Sequence, residues 1–362
     1  MKKLSLLSTL LTACLCLASC AEKGEKLSAS QIEEKFGKSV VLVQNQYFYS
    51  TNFGDLTIYF TGIDEDGELD DVAVDESDIT MVTSYGTGFF VSADGKIATN
   101  SHVANPAIDM QEVRSNIGNI KAAVETVYDN AVSATNDSIN MMQNYWMNAP
   151  SGSALEAQIE YERDRLINQR DQLQEMASRI RNVDISNIEI NIHAKIGIAY
   201  NNTFITNTTD FKECVLVKDD DEHDVAVIQL KDKKTPEDCH PFTVAKAAAE
   251  SDSVPHDAEG NPIDIDKLAL GTKLYLIGYN LGPALALTKD GVKAQITEGT
   301  LSQNTDDVKM MYTIPTLHGS SGAPVVDEYG NFVGINFAGI GSTQNFNYGV
   351  KAKYLRKLLG LD

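Results

Sequence analysis

The chain has 362 residues, which is enough for one large domain or two modest ones. Its 51 acidic and 30 basic residues give a formal net charge of −21 at pH 7. This balance argues against the basic face that nucleic-acid-binding proteins normally present, so no nucleic-acid partner is expected. It indicates a solvated acidic surface, and a weaker interpretation is that this surface attracts basic substrates.

The first nineteen residues have the pattern of a secretion signal. Two lysines precede an apolar run over 4–17, which is too short to span a membrane as a mature helix. The run ends in Leu-Ala-Ser followed by Cys20, which resembles the lipobox of bacterial lipoproteins. This resemblance implies a signal peptide over 1–19, lipidation of Cys20 and a tether over 20–26. Lipid would then hold the protein on a membrane of the bacterial cell envelope, at the periplasmic or outer-membrane face. An ordinary secretion signal with an incidental cysteine is the alternative.

Segment 27–105 is predicted to be a short helix followed by strands. Ser30 and Glu33 have the spacing of a capping box at the start of the helix. Apolar runs bounded by turn residues then predict strands at 39–49 and 55–60.

An acidic turn follows at 64–71. Oxygen-rich loops bind calcium, but the ligand spacing and closing glutamate of an EF-hand are absent here. A solvated hairpin loop is therefore favoured, and no metal ion or other cofactor is expected. Two further short strands, at 88–91 and 96–99, lead to His102.

Helical periodicity replaces the strand pattern over 106–184. Apolar residues recur at spacings of four and three from Val113 to Val127, and a second series begins at Leu155 after a turn. This pattern predicts an antiparallel coiled-coil hairpin whose helices are about 60 Å and 40 Å long. Four interpretations stay open: a structural decoration, a spacer, a gate for a cleft, and an arm for homo-oligomer or partner contact.

Strand patterns return over 185–362 and frame two polar residues. Asp224 opens the alternating run Asp-Val-Ala-Val-Ile-Gln-Leu, which is typical of a half-buried strand. Ser321 stands in a Gly-Ser-Ser-Gly turn ahead of two apolar runs that predict a β-hairpin. Many short strands with glycine-rich turns predict a mainly β fold of two barrels, interrupted by the helical hairpin. A last strand at 346–350 and a short amphipathic helix at 352–361 follow.

Three side chains in this pattern can supply acyl-transfer chemistry. A serine at the head of a hairpin exposes its hydroxyl beside backbone N–H groups, which is what a nucleophile and a developing oxyanion need. His102 can take up and return the proton, because histidine is the side chain that changes charge near neutral pH. Asp224 can hold the imidazole in the required tautomer and stabilise its charged form. Ser321 is the nucleophile candidate.

The chain resembles a known family in three motifs and in the order of its candidate residues, His102, Asp224 and Ser321. The motifs are GTGFFVSADGKIATNSHV, DVAVIQL and HGSSGAPVVDEYGNFVGINFAG. They resemble the chymotrypsin-fold, trypsin-like serine peptidases and, among them, the bacterial HtrA (Deg-like) group. The likeness covers roughly 36–105 and 186–357, and no PDZ module is expected.

The resemblance implies a catalytic triad and an oxyanion hole formed by the N–H groups of Gly319 and Ser321. The family carries Asn or Asp at the place of Ser320 and often Gly at the place of Ala323. Because both differ here, the resting geometry of the oxyanion hole stays open.

The resemblance also implies a substrate-binding surface. Its residues are Pro315, Thr316, Leu317 and His318 at the pocket, and Asn336, Phe337, Ala338 and Gly339 along the edge that pairs with the peptide backbone. No carboxylate stands at the position that gives trypsin its basic preference. A small or medium apolar side chain is therefore expected on the acyl side of the cleaved bond.

Two cysteines, Cys214 and Cys239, follow the proposed anchor. A disulfide between them is a hypothesis for an oxidising compartment, and two unpaired buried thiols are the equal alternative. The expected function is that of a lipid-anchored serine endopeptidase acting on proteins or peptides of the envelope or extracellular space. A non-catalytic or arm-regulated binding or scaffold protein with a protease-like barrel is the alternative.

Overall fold

The computed structural model describes residues 24–54, 56–244, 255–339 and 346–361. The predicted signal peptide over 1–19 and the proposed lipidation site Cys20 lie outside the described residues. None of the helices in these ranges combines the length and the apolar character needed to cross a bilayer.

The first barrel is built from strands that lie between residues 40 and 230. Its strands and small flanking strands are β1 (Val40–Phe53), β2 (Leu56–Phe60), β3 (Gly62–Ile63), β4 (Leu69–Asp70), β5 (Val82–Phe90), β6 (Lys96–Thr99), β7 (Ile190–Tyr200), β8 (Lys212–Asp220) and β9 (Val225–Leu230). The barrel runs in the order β1-β5-β6-β9-β8-β7 and closes where β7 pairs antiparallel with β1. The outer end of β1 extends beyond the barrel and also pairs with β2.

A second closed barrel is built from strands that lie between residues 273 and 351. Its strands and an adjoining two-stranded sheet are β10 (Lys273–Gly278), β11 (Leu287–Thr288), β12 (Gly291–Val292), β13 (Gln295–Gln303), β14 (Lys309–Tyr312), β15 (Pro324–Asp327), β16 (Phe332–Gly339) and β17 (Asn347–Lys351). The closed order is β10-β13-β14-β17-β16-β15. The helices of the chain are α1 (Ala29–Phe36), α2 (Ser101–Ala104), α3 (Met110–Asn148), α4 (Ala154–Arg181), α5 (Pro283–Ala286) and α6 (Ala352–Leu359).

Strand β1 shows why the two barrels pack together. Successive side chains of a strand point to opposite faces. Val41 and Val43 therefore fill the first barrel, whereas Val40 and Leu42 belong to the core shared with Ile277 and other residues of the second barrel. All four of these β1 side chains are fully buried. The interface between the barrels is thus a continuous apolar core, and the candidate site lies where the two barrels meet.

Helices α3 and α4 form the predicted long helical region between His102 and Asp224. Asp109 and Ser153 cap their N-termini by accepting backbone N–H groups of the first turns. With 39 and 28 residues, the helices are about 58 Å and 42 Å long at 1.5 Å per residue. The predicted mainly β, two-barrel fold with a long helical interruption is confirmed, while coiled-coil packing along the hairpin remains a prediction.

One local prediction was wrong. The capping box at α1 is formed by Ser28 and Gln31, not by Ser30 and Glu33. The Ser28 hydroxyl accepts the Gln31 N–H, and the Gln31 side chain accepts the Ser28 N–H. A Ser-x-x-Gln pair satisfies the same geometry as Ser-x-x-Glu, so the helix starts one residue after Ser28 and buries Ile32.

Candidate active site

His102 is carried by the short helix α2, which directly follows β6. The end of this helix is held by Asn45 of β1, whose fully buried side chain donates to the carbonyls of Val103 and Ala104 at 3.0 and 3.1 Å. Polar groups buried in this way need partners, so the contact fixes the helix against the first barrel. The side chain of His102 remains 47% exposed and therefore reachable from the cleft.

Asp224 stands at the turn between β8 and β9. Its backbone has a φ of +54°, in the left-handed region that aspartate tolerates better than most residues. Asn100 donates to its carbonyl at 2.8 Å. Both carboxylate oxygens lie 2.9 Å from the Nδ1 of His102, and one also accepts the His102 backbone N–H at 3.0 Å. The Asp224 carboxylate therefore contacts both the ring and the backbone N–H of His102, and so orients the imidazole. The other ring nitrogen, Nε2, is left as the one that can accept a proton.

Ser321 lies at the start of the β15 hairpin in the second barrel, but the first barrel holds it. Thr87 of β5 donates its backbone N–H to the Ser321 carbonyl at 2.8 Å and its hydroxyl to the Gly319 carbonyl at 2.8 Å. Gly86 lies beside both catalytic segments, because a Cβ there would be 2.6 Å from the Val103 side chain and 3.2 Å from the Ser321 carbonyl. The Ser321 and His102 segments therefore meet around β5.

The Ser321 hydroxyl is turned toward the second barrel. Its Oγ donates to the Phe337 carbonyl at 3.4 Å, which is a long contact. Among hydrogen bonds between described residues, none joins Ser321 to His102. In unliganded enzymes the nucleophile–base bond is often long and tightens only when substrate is bound.

Two peptide N–H groups near Ser321 are free to act as donors. Neither Gly319 N–H nor Ser321 N–H donates to another residue in the described ranges, although their peptides are otherwise fixed. The carbonyl of His318 accepts the Leu281 N–H at 2.5 Å. Because C=O and N–H of a trans peptide point in opposite directions, this bond turns the Gly319 N–H away from Leu281. Both N–H groups are thus available as hydrogen-bond donors at the two positions where the resemblance implies an oxyanion hole.

The segment of the predicted pocket that precedes Gly319 is accessible. Pro315, Leu317 and His318 are exposed and Thr316 is half-buried. The backbone of Leu317 is anchored, because its N–H donates to the buried side-chain oxygen of Asn280 at 2.9 Å.

Asn336 departs from the expectation of a substrate-pairing residue. Its backbone N–H and carbonyl are bonded to Ala323 and Gly322, and its side chain is 2% exposed and turned to Ser320. It therefore has no backbone group left for an extended peptide. Phe337 is half-buried, and the backbone of β16 continues through residues 338 and 339 to the end of the strand.

The disulfide hypothesis is not met by this structure. Cys214 and Cys239 are buried free thiols, and the Cys239 Sγ lies 3.0 Å from the Lys38 carbonyl as a donor. Burial raises the pKa of the Cys214 thiol to about 12 and that of Cys239 to about 11. Across the described ranges, no group of three or more His, Cys, Asp or Glu side chains could hold a metal ion.

Sequence reasoning missed the residues that hold the site together. Thr87, Asn45 and Asn100 act through long-range contacts to Gly319, to helix α2 and to Asp224. Thr87 and Asn100 lie inside a recognised motif, but nothing in the sequence around Asn45 distinguishes it from a surface residue. Their roles depend on burial, which only the folded chain reveals.

Part of this two-barrel chain matches a peptidase family model. Residues 186–335 match the family model described as "Trypsin-like peptidase domain", a stretch that contains Asp224 and Ser321 but not His102. No curated protein matches the sequence.

Solved structures with a related chain path include two proteases. A serine endoprotease from Yersinia pestis is 14% identical, with a TM-score of 0.43, over 93% of this chain and 67% of that one. The HtrA-type protease AlgW, solved with a tripeptide, is 14% identical, with a TM-score of 0.43, over 92% of this chain and 63% of AlgW. The family match and the fold support a serine peptidase.

Proposed function

We propose that the protein is a serine endopeptidase that hydrolyses peptide bonds of envelope or extracellular proteins. The observation that carries this proposal is the bidentate contact of Asp224 with the His102 ring, beside a serine loop that presents two unbonded N–H groups. A purely structural ion pair would not require free donors on the neighbouring loop. The match of residues 186–335 to the trypsin-like peptidase model supports the same chemistry.

The proposed reaction follows from the roles of these groups. The Nε2 of His102 takes the proton of the Ser321 hydroxyl while Oγ attacks the carbonyl carbon of the peptide bond. The oxygen of the tetrahedral intermediate gains negative charge and accepts from the N–H groups of Gly319 and Ser321. His102 then protonates the leaving amine, and an ester to Ser321 remains.

Water completes the cycle. His102 removes a proton from a water molecule, which attacks the acyl ester, and the same two N–H groups stabilise the second intermediate. Return of the proton to Ser321 Oγ releases the acid product. Asp224 stays ionised throughout and stabilises the imidazolium that forms in each half of the reaction.

Labelling with a fluorophosphonate probe tests the proposal. The probe should form an adduct on Ser321, located by peptide mass spectrometry, and the adduct should be absent in Ser321→Ala. Ser320→Ala is a matched control, since Ser320 is the neighbouring hydroxyl and donates to the Leu317 carbonyl instead. Labelling on another residue, or none on the wild-type chain and none after truncation of the arm, would reject a Ser321 peptidase.

An arm-regulated peptidase is a second candidate, favoured by the orientation of the Ser321 hydroxyl toward Phe337. In this case the distal part of α3 and α4 holds the enzyme in a resting state until a partner binds. Replacing residues 132–172 with a short glycine-rich linker removes that part and keeps the base of the hairpin. Faster labelling of Ser321 in this variant would support regulation by the arm, and an unchanged rate would exclude it.

The lipid anchor is proposed from the sequence around Cys20. A Cys20→Ser variant is expected to move from the membrane fraction to the soluble fraction of the envelope. Metabolic incorporation of a labelled fatty acid into the wild-type chain, but not into this variant, is the direct measurement. Equal distribution of both chains would reject the anchor and leave the peptidase proposal unaffected.

A further inference from the structure

The carbonyl of the Ser320–Ser321 peptide accepts two hydrogen bonds, one from the Ala323 N–H at 3.0 Å and one from a buried side chain. Asn336 of β16 donates its Nδ2 to the Ser320 carbonyl at 3.0 Å and lies 3.2 Å from the Ser320 hydroxyl. Since C=O and N–H of a trans peptide are antiparallel, this bond turns the Ser321 N–H to the side opposite Asn336. That N–H is one of the two donors of the proposed oxyanion hole.

The backbone of Asn336 holds the residues that follow the nucleophile. Its carbonyl accepts the Gly322 N–H at 2.8 Å, and its N–H donates to the Ala323 carbonyl at 2.9 Å. Asn336 therefore bonds to the residue before Ser321 and to the two residues after it. Asn336 thus helps to fix both flanks of the nucleophile without touching its hydroxyl, together with the Ala323 N–H on the Ser320 carbonyl and the Thr87 N–H on the Ser321 carbonyl.

The orientation of the Asn336 amide is set by Tyr312 of β14. The Tyr312 hydroxyl donates to Asn336 Oδ1 at 2.7 Å, and the Tyr348 carbonyl lies 3.0 Å from the same hydroxyl as a second acceptor. The Ser320 carbonyl can only accept, so the amide nitrogen must face it and the amide oxygen must face Tyr312. The exposed fractions of Tyr312, Asn336 and Ser320 are 0%, 2% and 2%, so water does not compete for these bonds.

The neighbouring peptide is fixed independently from the other side of the loop. The Leu281 N–H holds the His318 carbonyl, and Asn280 holds the Leu317 N–H. Both oxyanion peptides are therefore fixed by groups that lie outside the cleft. This leaves their N–H groups without partners and directed away from the restraining groups.

We propose that Asn336 and Tyr312 are positioning residues that hold the Ser321 N–H in its donor orientation before substrate binds, so that the oxyanion hole is formed at rest. This inference rests on the proposed peptidase function. It assigns no contact with substrate to either residue. Both residues act by orienting the Ser320–Ser321 peptide. They therefore stabilise the transition state, in which the oxyanion develops, and not the bound substrate.

The test uses the full mature chain and the saturable reaction of Ser321 with a fluorophosphonate probe. Asn336→Ala should lower the maximal inactivation rate by about 10²-fold, because losing one oxyanion donor has an effect of that order. Tyr312→Phe removes only the hydroxyl and should lower the rate by roughly 10-fold, since Asn336 keeps its bond to Ser320 but its Oδ1 loses its hydrogen-bond partner. The probe concentration at half-saturation should stay unchanged in both variants, because ground-state binding does not use the oxyanion hole.

Tyr275→Phe is the matched control. It removes another buried tyrosine hydroxyl of the second barrel, which donates to the Leu27 carbonyl far from the serine loop. Its inactivation rate should equal that of the wild type, and its melting temperature provides the comparison for Tyr312→Phe. If Asn336→Ala does not fold, Tyr312→Phe decides the question alone.

The outcomes separate the inference from the function on which it rests. A labelled wild-type chain together with variants that react at the wild-type maximal rate would overturn the positioning role. A fall in rate shared by Tyr275→Phe would overturn it too, since loss of any buried hydroxyl would then suffice. Absence of labelling in the wild type would instead reject the peptidase function itself, whatever the variants do.

Discussion

At the scale of single residues, Asp224 makes three contacts with His102 from a backbone conformation that few side chains adopt. Its carboxylate accepts the backbone N–H and faces the ring nitrogen with both oxygens. The left-handed φ of +54° places the side chain on the α2 side of the hairpin. Asparagine also tolerates this conformation, so Asp224→Asn changes the chemistry of the residue while keeping its geometry.

Asp224→Asn is expected to lower the rate of Ser321 labelling by about 10⁴-fold without unfolding the protein. The remaining oxygen of the amide can still accept the His102 backbone N–H, which turns the NH2 group toward Nδ1. The ring then carries its proton on Nε2 and cannot accept another from Ser321. Asp220→Asn is the control, because Asp220 lies in the same hairpin and bonds to His223 instead. Equal rates in both variants would contradict the role of Asp224.

Gly322 illustrates a position where both conformation and space exclude any side chain. Its φ is +86°, and a Cβ would lie 2.0 Å from the Thr87 carbonyl and 2.3 Å from the Thr99 hydroxyl. Gly322→Ala is therefore expected to prevent the serine loop from docking on β5, with loss of Ser321 labelling and a large fall in the unfolding free energy.

Gly67→Ala is the control that separates the backbone strain of a positive φ from the steric collision expected in Gly322→Ala. Gly67 also has a positive φ, of +80°, but nothing lies within 4 Å of a Cβ built there. This control should cost only about 1–2 kcal/mol, the strain of a left-handed L-residue. The difference between the two variants in denaturant unfolding measures the collision with β5, and similar losses would show that the serine loop can move to admit a methyl group.

The candidate triad could be predicted from sequence because each member lies in a motif with its own strand and turn pattern. The role of Asn336 could not be predicted in the same way. The pairing of β16 with β17 shifts register between Asn336 and Ala338, so simple alternation does not settle which way Asn336 faces. Its amide oxygen accepts from Tyr312, which lies 24 residues away in the chain and on another strand, β14.

At the scale of elements, the helical hairpin is anchored to the first barrel at its base. Val113 and Ile117 of α3 and Ile180 of α4 are buried in a cluster with Tyr49 and Phe60. Lys121 of α3 also donates to the carbonyls of Arg181, the last residue of α4, and of Val183 just beyond it, at 2.9 Å each. The long ends of β1 and β7 beyond the barrel provide the surface for this packing, which the sequence pattern of the helices alone did not indicate.

Ile117→Ala is expected to lower the unfolding free energy by about 2–5 kcal/mol, as for other fully buried aliphatic side chains. Val127→Ala, ten residues further along α3, should change it by less than about 0.5 kcal/mol, because Val127 is 66% exposed. Urea unfolding followed by circular dichroism provides both values. An early helical transition that leaves the barrels folded in Ile117→Ala would show that the hairpin and the barrel do not unfold together.

Strand positions were largely predictable, and their assembly was not. The predicted strand at 96–99 coincides with β6, and that at 55–60 lies within one residue of β2. The alternation of apolar and polar residues and the flanking turn residues determine where such strands begin and end. Closure of the first barrel depends on the pairing of β1 with β7, whose sequences lie on either side of the helical hairpin. No local pattern specifies a partner at that distance along the chain.

At the scale of the whole molecule, the cores of both barrels contain weak acids that are held in their neutral forms. Burial raises the pKa of Cys214 and of Tyr200 to about 12 and that of Cys239 to about 11. Burial also raises the pKa of Tyr279 and Tyr312 well above the ordinary value of a tyrosine. The folded protein therefore keeps protons that the unfolded chain releases in base.

This difference predicts a loss of stability at alkaline pH. The ordinary pKa of the two thiols is 9.0, so above pH 9 the unfolded chain binds fewer protons than the folded one. The unfolding free energy must then fall as pH rises, and the contribution of the thiols is lost between pH 9 and their folded pKa values. Below pH 9 both states carry the thiol protons, and these groups leave stability independent of pH.

Urea unfolding at pH 8, 9, 10 and 11 measures the effect, with the double variant Cys214→Ala, Cys239→Ala as the comparison. The variant should be less stable than the wild type at pH 8, because two buried side chains are shortened. Its stability should nevertheless decline less steeply above pH 9, because the remaining slope comes only from other groups whose pKa the fold raises, the tyrosines among them. Parallel curves for the two proteins would show that the thiols ionise equally in the folded and unfolded chains, and hence that they are not held neutral by the barrel.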